Sequence, residues 1–360
     1  MDIGDGCEDP VEDRGGSCET EWCGVRESGL YKGIKMEEKS VVYASDEKFV
    51  EILAVSMESL MQYNSGVTIY VLNNGINSGS VDNLIAQAEQ HDAKIKIIPV
   101  EDLNRYVGRK LSCQKKITHT CYFRLFLSEI MPNDVDRVLY LDCDTLVCDN
   151  LDEIFEWDLK SMCAGVAEPT SKLMKKKINL KAEDSYMNSG IMLINLKKWR
   201  TENISKKFVD YIEEMKGKIS FEDQGCVNHV LKGRMDLLPI RYNIETQYFD
   251  FGYDGFQMMK RDKIRYSCEE VKKAMENPGI IHFTNSFASE RPWVKYCTHK
   301  YVNEWRECKN KTAWKNSDEW ESNKDFIRKI SRWIYQILPQ RLKNHFIYFI
   351  NGVIRPLIEN

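Results

Sequence analysis

From Ser40 to Pro99 the chain alternates short apolar runs with helix-period segments, and this alternation constrains the fold more than any other feature. Val41-Val42-Tyr43-Ala44 is an unbroken apolar run, the pattern of a strand buried on both faces. It leads into Ser45-Asp46-Glu47, a helix-capping sequence, after which Ile52, Leu53, Val55, Ser56 and Leu60 recur at helical spacing. Val67–Leu72 reads as a second strand ending in the turn-rich Asn73-Asn74-Gly75, followed by a helix over Val81–His91 and a strand over Ile95–Pro99. Strand, helix, strand, helix, strand predicts a parallel α/β sheet with right-handed crossovers and ligands at the carboxyl ends of its strands.

The same reading continues downstream. It predicts a helix over Thr118–Ile130, strands over Val135–Leu141, Cys163–Ala167, Ser189–Leu196 and Gly279–Phe283, and helices over Ile204–Lys216 and Glu222–Leu231. Residues 236–257 read as short strands and aromatic loops. The 360 residues, 42% of them hydrophobic, supply a sizeable core, and a net charge of −4 argues against a general nucleic-acid binder. That charge is uneven. Residues 1–39 carry eleven acids against five bases, a composition expected to be disordered, and Cys7, Cys18 and Cys23 there fit no standard metal spacing.

Residues 324–355 carry seven bases against Asp325, interleaved with Phe326, Trp333, Tyr335, Phe346, Tyr348 and Phe349. Two amphipathic helices split by Pro339 are expected, with the composition of an interfacial membrane helix. No apolar run reaches the ~18 residues of a spanning helix, and residues 1–40 hold no signal-peptide core. The twelve cysteines form no C-x-x-C pair, and several lie inside apolar runs, as small buried hydrophobes of a reducing compartment do. The expectation is a cytoplasmic protein with a peripheral contact at the inner face of the membrane through 324–355. On this reading, losing 324–360 abolishes vesicle binding and spares catalysis.

Chemistry concentrates where a fully apolar strand candidate ends, in Leu139-Tyr140-Leu141-Asp142-Cys143-Asp144. Side chains at i and i+2 of an extended chain face the same way, so two carboxylates meet at a strand's carboxyl end. Such a pair calls for a cation, and hard oxygen ligands suit Mn²⁺ or Mg²⁺. Asn188-Ser189-Gly190 opens another apolar strand with groups suited to sugar hydroxyls. Glu222-Asp223-Gln224 begins a helix, where it serves as a cap or a substrate contact. His282 follows the last strand and reads either as a structural histidine or as a third metal ligand.

Together these ordered blocks resemble glycosyltransferase family 8, including the bacterial lipopolysaccharide galactosyl- and glucosyltransferases. The resemblance spans about residues 40–300 and rests on Tyr43-Ala44-Ser45-Asp46, Thr120-Cys121-Tyr122-Phe123-Arg124-Leu125, the Asp142–Asp144 run, Asn188-Ser189-Gly190 with Leu193–Trp199, Asp223-Gln224, and His282 with Pro292-Trp293. It implies a GT-A fold, a Rossmann-like α/β nucleotide-diphospho-sugar transferase with a mixed, mainly parallel sheet. Residues 40–300 would be the catalytic domain and 301–360 a basic aromatic helical tail.

It implies Mn²⁺ (or Mg²⁺) held by Asp142, Asp144 and His282, with UDP-glucose or UDP-galactose as donor. Ala44, Asp46 and Phe49 match uridine contacts; Arg124 and Arg291 match diphosphate contacts; Asn188, Ser189, Asp223 and Gln224 match donor-sugar contacts. Glu168 falls near the acceptor side. The implied reaction is a retaining hexosyl transfer to a glycan or glycolipid in lipopolysaccharide or surface-polysaccharide synthesis, with Gln224, Asp223 and Arg124 catalytic and Gln224 stabilising charge at the anomeric carbon. Alternatives are a self-glycosylating, glycogenin-like initiator and a catalytically silent sugar-binding protein on the same fold. The chain departs from the family pattern at Asn285, where a glycine is usual, at Arg291, where a lysine is usual, and at Lys48.

Overall fold

The computed structural model of the chain describes residues 39–100, 102–107, 119–324 and 326–350, so Cys7, Cys18, Cys23 and the rest of the acidic stretch before Lys39 lie outside the described residues. Among the described residues ten strands follow in order: β1 Lys39–Ser45, β2 Val67–Asn73, β3 Lys94–Pro99, β4 Arg137–Leu141, β5 Thr145–Val147, β6 Cys163–Ala167, β7 Met187–Asn195, β8 Met235–Leu237, β9 Ile244–Glu245 and β10 Ile280–His282. Seven form one sheet in the order β3-β2-β1-β4-β7-β6-β8, and β5-β10-β9 form a second. In the large sheet only β7 runs against its neighbours, β4 and β6; every other pairing is parallel.

The apolar runs work because the sheet is covered on both faces. Val41, Tyr43, Leu139, Leu141, Ile191 and Leu193 enter one core layer. Their alternating neighbours Val42, Ala44, Val138, Tyr140, Met192 and Ile194 enter the other. The helix Val50–Tyr63 lies on the first layer and is buried along almost its whole length. It begins after a tight 3₁₀ turn, Glu47–Phe49, capped by Asp46, whose side chain accepts from the Phe49 N–H at 3.1 Å. The next helix runs Ser78–Glu89, starting earlier than Val81 because Asn77 caps it, accepting from Ser80 N–H at 2.9 Å.

Two expectations are corrected. The predicted helix over Thr118–Ile130 is a 3₁₀ segment, His119–Phe126, followed by one short α-turn, Leu127–Ile130. Tyr122, Phe123, Leu125, Phe126 and Leu127 are all buried, so the segment is walled in all round and has no polar face to lay along the surface. Residues 236–257 are not mainly loops: a helix spans Thr246–Lys260, broken only at Gly252, where φ is 68°. Its aromatic content masked the helical period.

At the C-terminal side, the helix Val302–Asn310 packs on Val50–Tyr63, with Trp305 buried and Lys309 paired to buried Glu51 at 2.8 Å. Two further helices, Phe326–Ile337 and Gln340–Phe349, flank Pro339. Among the described residues no helix is long and apolar enough to cross a membrane.

Candidate active site

The site forms where the two sheets meet. β4 ends at Leu141, and the Asp142 N–H donates to Gly190 O of β7 at 2.7 Å. The chain then turns through Asp142-Cys143-Asp144 into β5. Asp142 and Asp144 face the same side, while the Cys143 thiol turns away and donates to Ala44 O at 3.3 Å. β10 pairs antiparallel to β5 with His282 opposite Thr145, and Phe283 N–H donates to Asp144 O at 2.8 Å. The small sheet therefore delivers His282 onto the aspartates: its Nε2 lies 3.1 Å from Asp144 Oδ1 and 3.8 Å from Asp142 Oδ2.

A relay of amides orients the imidazole. His282 Nδ1–H donates to Asn243 Oδ1 at 3.2 Å, Asn243 Nδ2 donates to Asn188 Oδ1 at 3.0 Å, and Asn188 Nδ2 donates to Glu168 Oε2 at 3.2 Å. With Nδ1 carrying the proton, the Nε2 lone pair points at two carboxylates, an arrangement that needs a cation or a second proton between them. Donor atoms of Asp142, Asp144 and His282 all lie within 4.8 Å of one another. Two hard oxygens and an imidazole suit Mn²⁺ or Mg²⁺. Gly190 leaves the space: a β-carbon there would come 2.3 Å from His282 Cε1 and 2.7 Å from Asp142 Oδ2.

Charge around the three is compensated. Burial opposes ionisation of Asp144, but His282 and Arg291 outweigh it and hold its carboxyl down at about 2. Burial likewise pushes His282 down, and Asp144, Asp142 and Glu245 more than reverse this, so its pKa lies above the ordinary value. Arg124, from the 3₁₀ segment, is buried behind them. Its Nη2 lies 2.7 Å from Asp142 Oδ1, its Nε 3.0 Å from Asp223 Oδ2, and its Nη1 donates to Ser189 O at 2.7 Å. The guanidinium sits over the Tyr140 ring, whose hydroxyl donates to Asp142 Oδ1 at 3.0 Å.

Two cavities open on this cluster and share Arg124 and Asp142. One, of about 250 Å³, holds Ala44, Asp46, Phe49, Asp144 and Arg291. The other, of about 370 Å³, holds Ser189, Phe221, Glu222, Asp223 and Gln224. The structure thus divides the predicted uridine and diphosphate residues from the predicted sugar residues, on either side of the carboxylates. Arg291 reaches in with Nη2 3.4 Å from Asp144 Oδ2. Of the residues matched to uridine, diphosphate or sugar contacts, only Asn188 lines neither cavity. It stands one layer deeper, with Oδ1 accepting from Gly190 N–H at 2.9 Å as well as from Asn243.

The Gln224 amide is fixed at both ends. Its Oε1 accepts from Ser189 N–H at 3.0 Å, and its Nε2 donates to Glu168 Oε2 at 3.1 Å and Tyr186 OH at 3.0 Å. Glu168 in turn pairs with Lys260 of the Thr246–Lys260 helix. Phe221 and Glu222, at the mouth of the second cavity, both hold left-handed backbone, with φ of 62° and 53°.

Sequence reasoning missed Asn243, Tyr140 and Lys260. Asn243 sits beside an apolar run without a motif, Tyr140 reads as one more apolar residue of the strand before Asp142, and Lys260 lies just past the stretch 236–257 read as short strands and aromatic loops. The role of Gly190 was missed as well, although a glycine opening an apolar strand is a sign that another group approaches closely.

The sheet order, the single reversed strand and the site at the strand ends define a GT-A-type α/β protein. Residues 40–297 match the glycosyl transferase family 8 model, and the chain belongs to that family of glycosyltransferases. It is 25% identical over 287 residues to General stress protein A of Bacillus subtilis (strain 168), covering 78% of this chain and 96% of the relative. It is 23% identical over 283 residues to the lipopolysaccharide 1,2-glucosyltransferase of Escherichia coli (strain K12), covering 77% and 79%. The galactosyltransferase LgtC, solved with donor and acceptor sugar analogues, superposes with a TM-score of 0.64 at 25% identity, over 76% of this chain and 96% of LgtC.

Proposed function

We propose that this glycosyltransferase is metal-dependent and retaining, and moves glucose or galactose from a UDP-sugar to a hydroxyl of a glycan or glycolipid during lipopolysaccharide or surface-polysaccharide synthesis. The observation that carries the reading is the pair of cavities meeting at Arg124 and Asp142 beside the Asp144–His282 contact.

On this reading Asp142, Asp144 and His282 hold Mn²⁺ or Mg²⁺, which when bound neutralises the diphosphate and makes it a better leaving group. Ala44, Asp46 and Phe49 receive the uridine, and Arg291 grips the diphosphate with two donors. Ser189, Asp223 and Gln224 receive the hexose, while Asn188 holds the strand and the His282 relay in place. Arg124 lies between the two cavities and stabilises charge as the C1–O bond to phosphate breaks.

The acceptor oxygen then bonds to C1 from the same face, and its proton passes to the departing phosphate oxygen. Asp223 is held through a single oxygen, Oδ2, which both Arg124 Nε, at 3.0 Å, and the Ser189 hydroxyl, at 3.3 Å, engage, so the carboxylate is committed to positioning Arg124. Gln224, held by Ser189 and Glu168, presents a fixed dipole to the developing positive charge.

The domain assignment follows: 40–300 is catalytic, and within 301–360 the two terminal helices dock on a membrane. Phe326, Ile330, Trp333 and Ile337 recur every three or four residues and form an exposed apolar stripe, with Phe326 75% and Trp333 61% exposed. Lys329 beside them favours an anionic lipid surface at the cytoplasmic face.

The test is UDP release from UDP-glucose and UDP-galactose with Mn²⁺, for wild type and Asp144→Asn. The reading expects release from one donor, lost in the variant; release from neither overturns it.

A further inference from the structure

The loop that carries Arg291 is held from behind by the C-terminal helices. Arg291 faces the first cavity, and its Nε is buried with no hydrogen-bond partner among the described residues. Its neighbour Glu290 turns the other way, into the protein, and is 7% exposed. Three groups from the C-terminal segment close on that carboxylate. Ser322 Oγ lies at 2.9 Å and Arg332 Nη1 at 3.2 Å from Oε1, and Lys324 Nζ at 3.1 Å from Oε2.

The grip extends to the preceding residues. Lys324 Nζ also donates to Ser289 O, and Ser289 Oγ donates to Asp250 Oδ2 at 2.9 Å. The Tyr335 hydroxyl donates to Asp250 O at 2.9 Å, and the Tyr335 ring meets Phe287 edge-on at 5.6 Å. Arg332 and Tyr335 thus hold the loop, while the apolar stripe on the same helix stays exposed.

A buried carboxylate facing two cations contributes little net stability, because desolvation offsets the attraction; what such a cluster can fix is conformation. We propose that Glu290, gripped by Lys324 and Arg332, is a positioning residue for the donor: it sets the backbone from which Arg291 reaches the diphosphate. This rests on the proposed function, in which Arg291 binds diphosphate. It also makes the helical tail part of the donor site, where the sequence alone suggests a tail separable from catalysis.

The test is calorimetric titration of UDP, with Mn²⁺ present, into the full chain carrying Glu290→Gln, Arg291→Met, or both. Glu290→Gln is expected to weaken UDP binding about tenfold, in the range seen when the partner that orients a ligand is removed. In the double variant the Glu290 change is expected to add nothing, since a missing guanidinium cannot be misplaced.

Arg332→Gln is expected to reproduce the loss and Arg332→Lys to restore most of it, an outcome that loss of folding does not give. Should Glu290→Gln not fold, the Arg332 pair answers the same question. Wild-type affinity in Glu290→Gln or Arg332→Gln, or additive losses in the double variant, overturns the clamp alone. A wild-type chain that does not bind UDP overturns the proposed function and the clamp with it.

Discussion

A β-carbon on Gly190 would lie 2.3 Å from Cε1 of His282, closer than any side-chain contact allows. The same carbon would lie 2.7 Å from Asp142 Oδ2, so two of the three candidate ligands depend on one missing methyl group. Because Gly190 is central in β7, between β4 and β6, the strand cannot retreat. Gly190→Ala is therefore expected to displace His282 and weaken Mn²⁺ binding at least about tenfold, the cost of disturbing ligand orientation. Titration of Mn²⁺ followed by electron paramagnetic resonance checks this; unchanged affinity would sink it.

That contact also shows what the sequence revealed. The carboxylate pair was legible because an apolar strand ending in Asp142-Cys143-Asp144 places both side chains on one face wherever the strand lies. His282 was legible only as a lone residue after a strand, with a structural reading beside it. What joins it to the aspartates is the antiparallel register of β5 and β10, residues more than a hundred positions apart. Asn243 was invisible for a like reason: its side chain links distant residues, accepting a hydrogen bond from His282 and donating one to Asn188. The helix Thr246–Lys260 was missed because aromatic residues and Gly252 break the period that marks an amphipathic helix.

Arg124 is a structural centre as well as a charge in the site. Its guanidinium separates Asp142 from Asp223, and both carboxylates hold its pKa well above the ordinary value against the opposing effect of burial. Arg124→Met leaves buried Asp223 facing half-buried Asp142 with no cation between them and is expected to cost up to about 3 kcal/mol of stability, less than a fully buried pair would because water screens Asp142. Arg124→Lys has one point charge for two partners and is expected to fold but to lose turnover. Denaturant unfolding and UDP release, measured on both variants, check the two halves separately.

The exposed stripe on Phe326–Ile337 predicts a graded membrane response. Trp333→Asp removes burial of one large aromatic, worth about 1.5–3 kcal/mol, so partitioning onto anionic vesicles is expected to fall about tenfold or more. Raising the salt is expected to weaken the wild type as well, because the basic residues act through a screened field. Sedimentation with vesicles checks both, and wild-type binding by Trp333→Asp would contradict the assignment.

His299 predicts an acid limit to stability. It sits between the Phe283 and Phe249 rings, accepts from Tyr301 N–H at 3.2 Å, and is lowered by burial to about 4. Unfolded, it titrates near its ordinary value of 6.5. Below pH 6.5 the unfolded chain therefore binds a proton that the folded chain does not, and stability falls by about 1.4 kcal/mol per unit as the pH drops toward 4. His299→Phe is expected to flatten that part of the profile. Urea midpoints of both proteins between pH 7 and pH 4 check it; parallel profiles would rule it out.

On the proposed function, Asp142, Asp144 and His282 recruit UDP through a divalent cation. Calorimetric titration of UDP with Mn²⁺, and again in chelator, tests it most directly. Tight binding is expected with Mn²⁺, with a loss of at least about tenfold in chelator and no response to Mn²⁺ in Asp144→Asn. Equal UDP affinity with and without the cation, in wild type and variant alike, would contradict it.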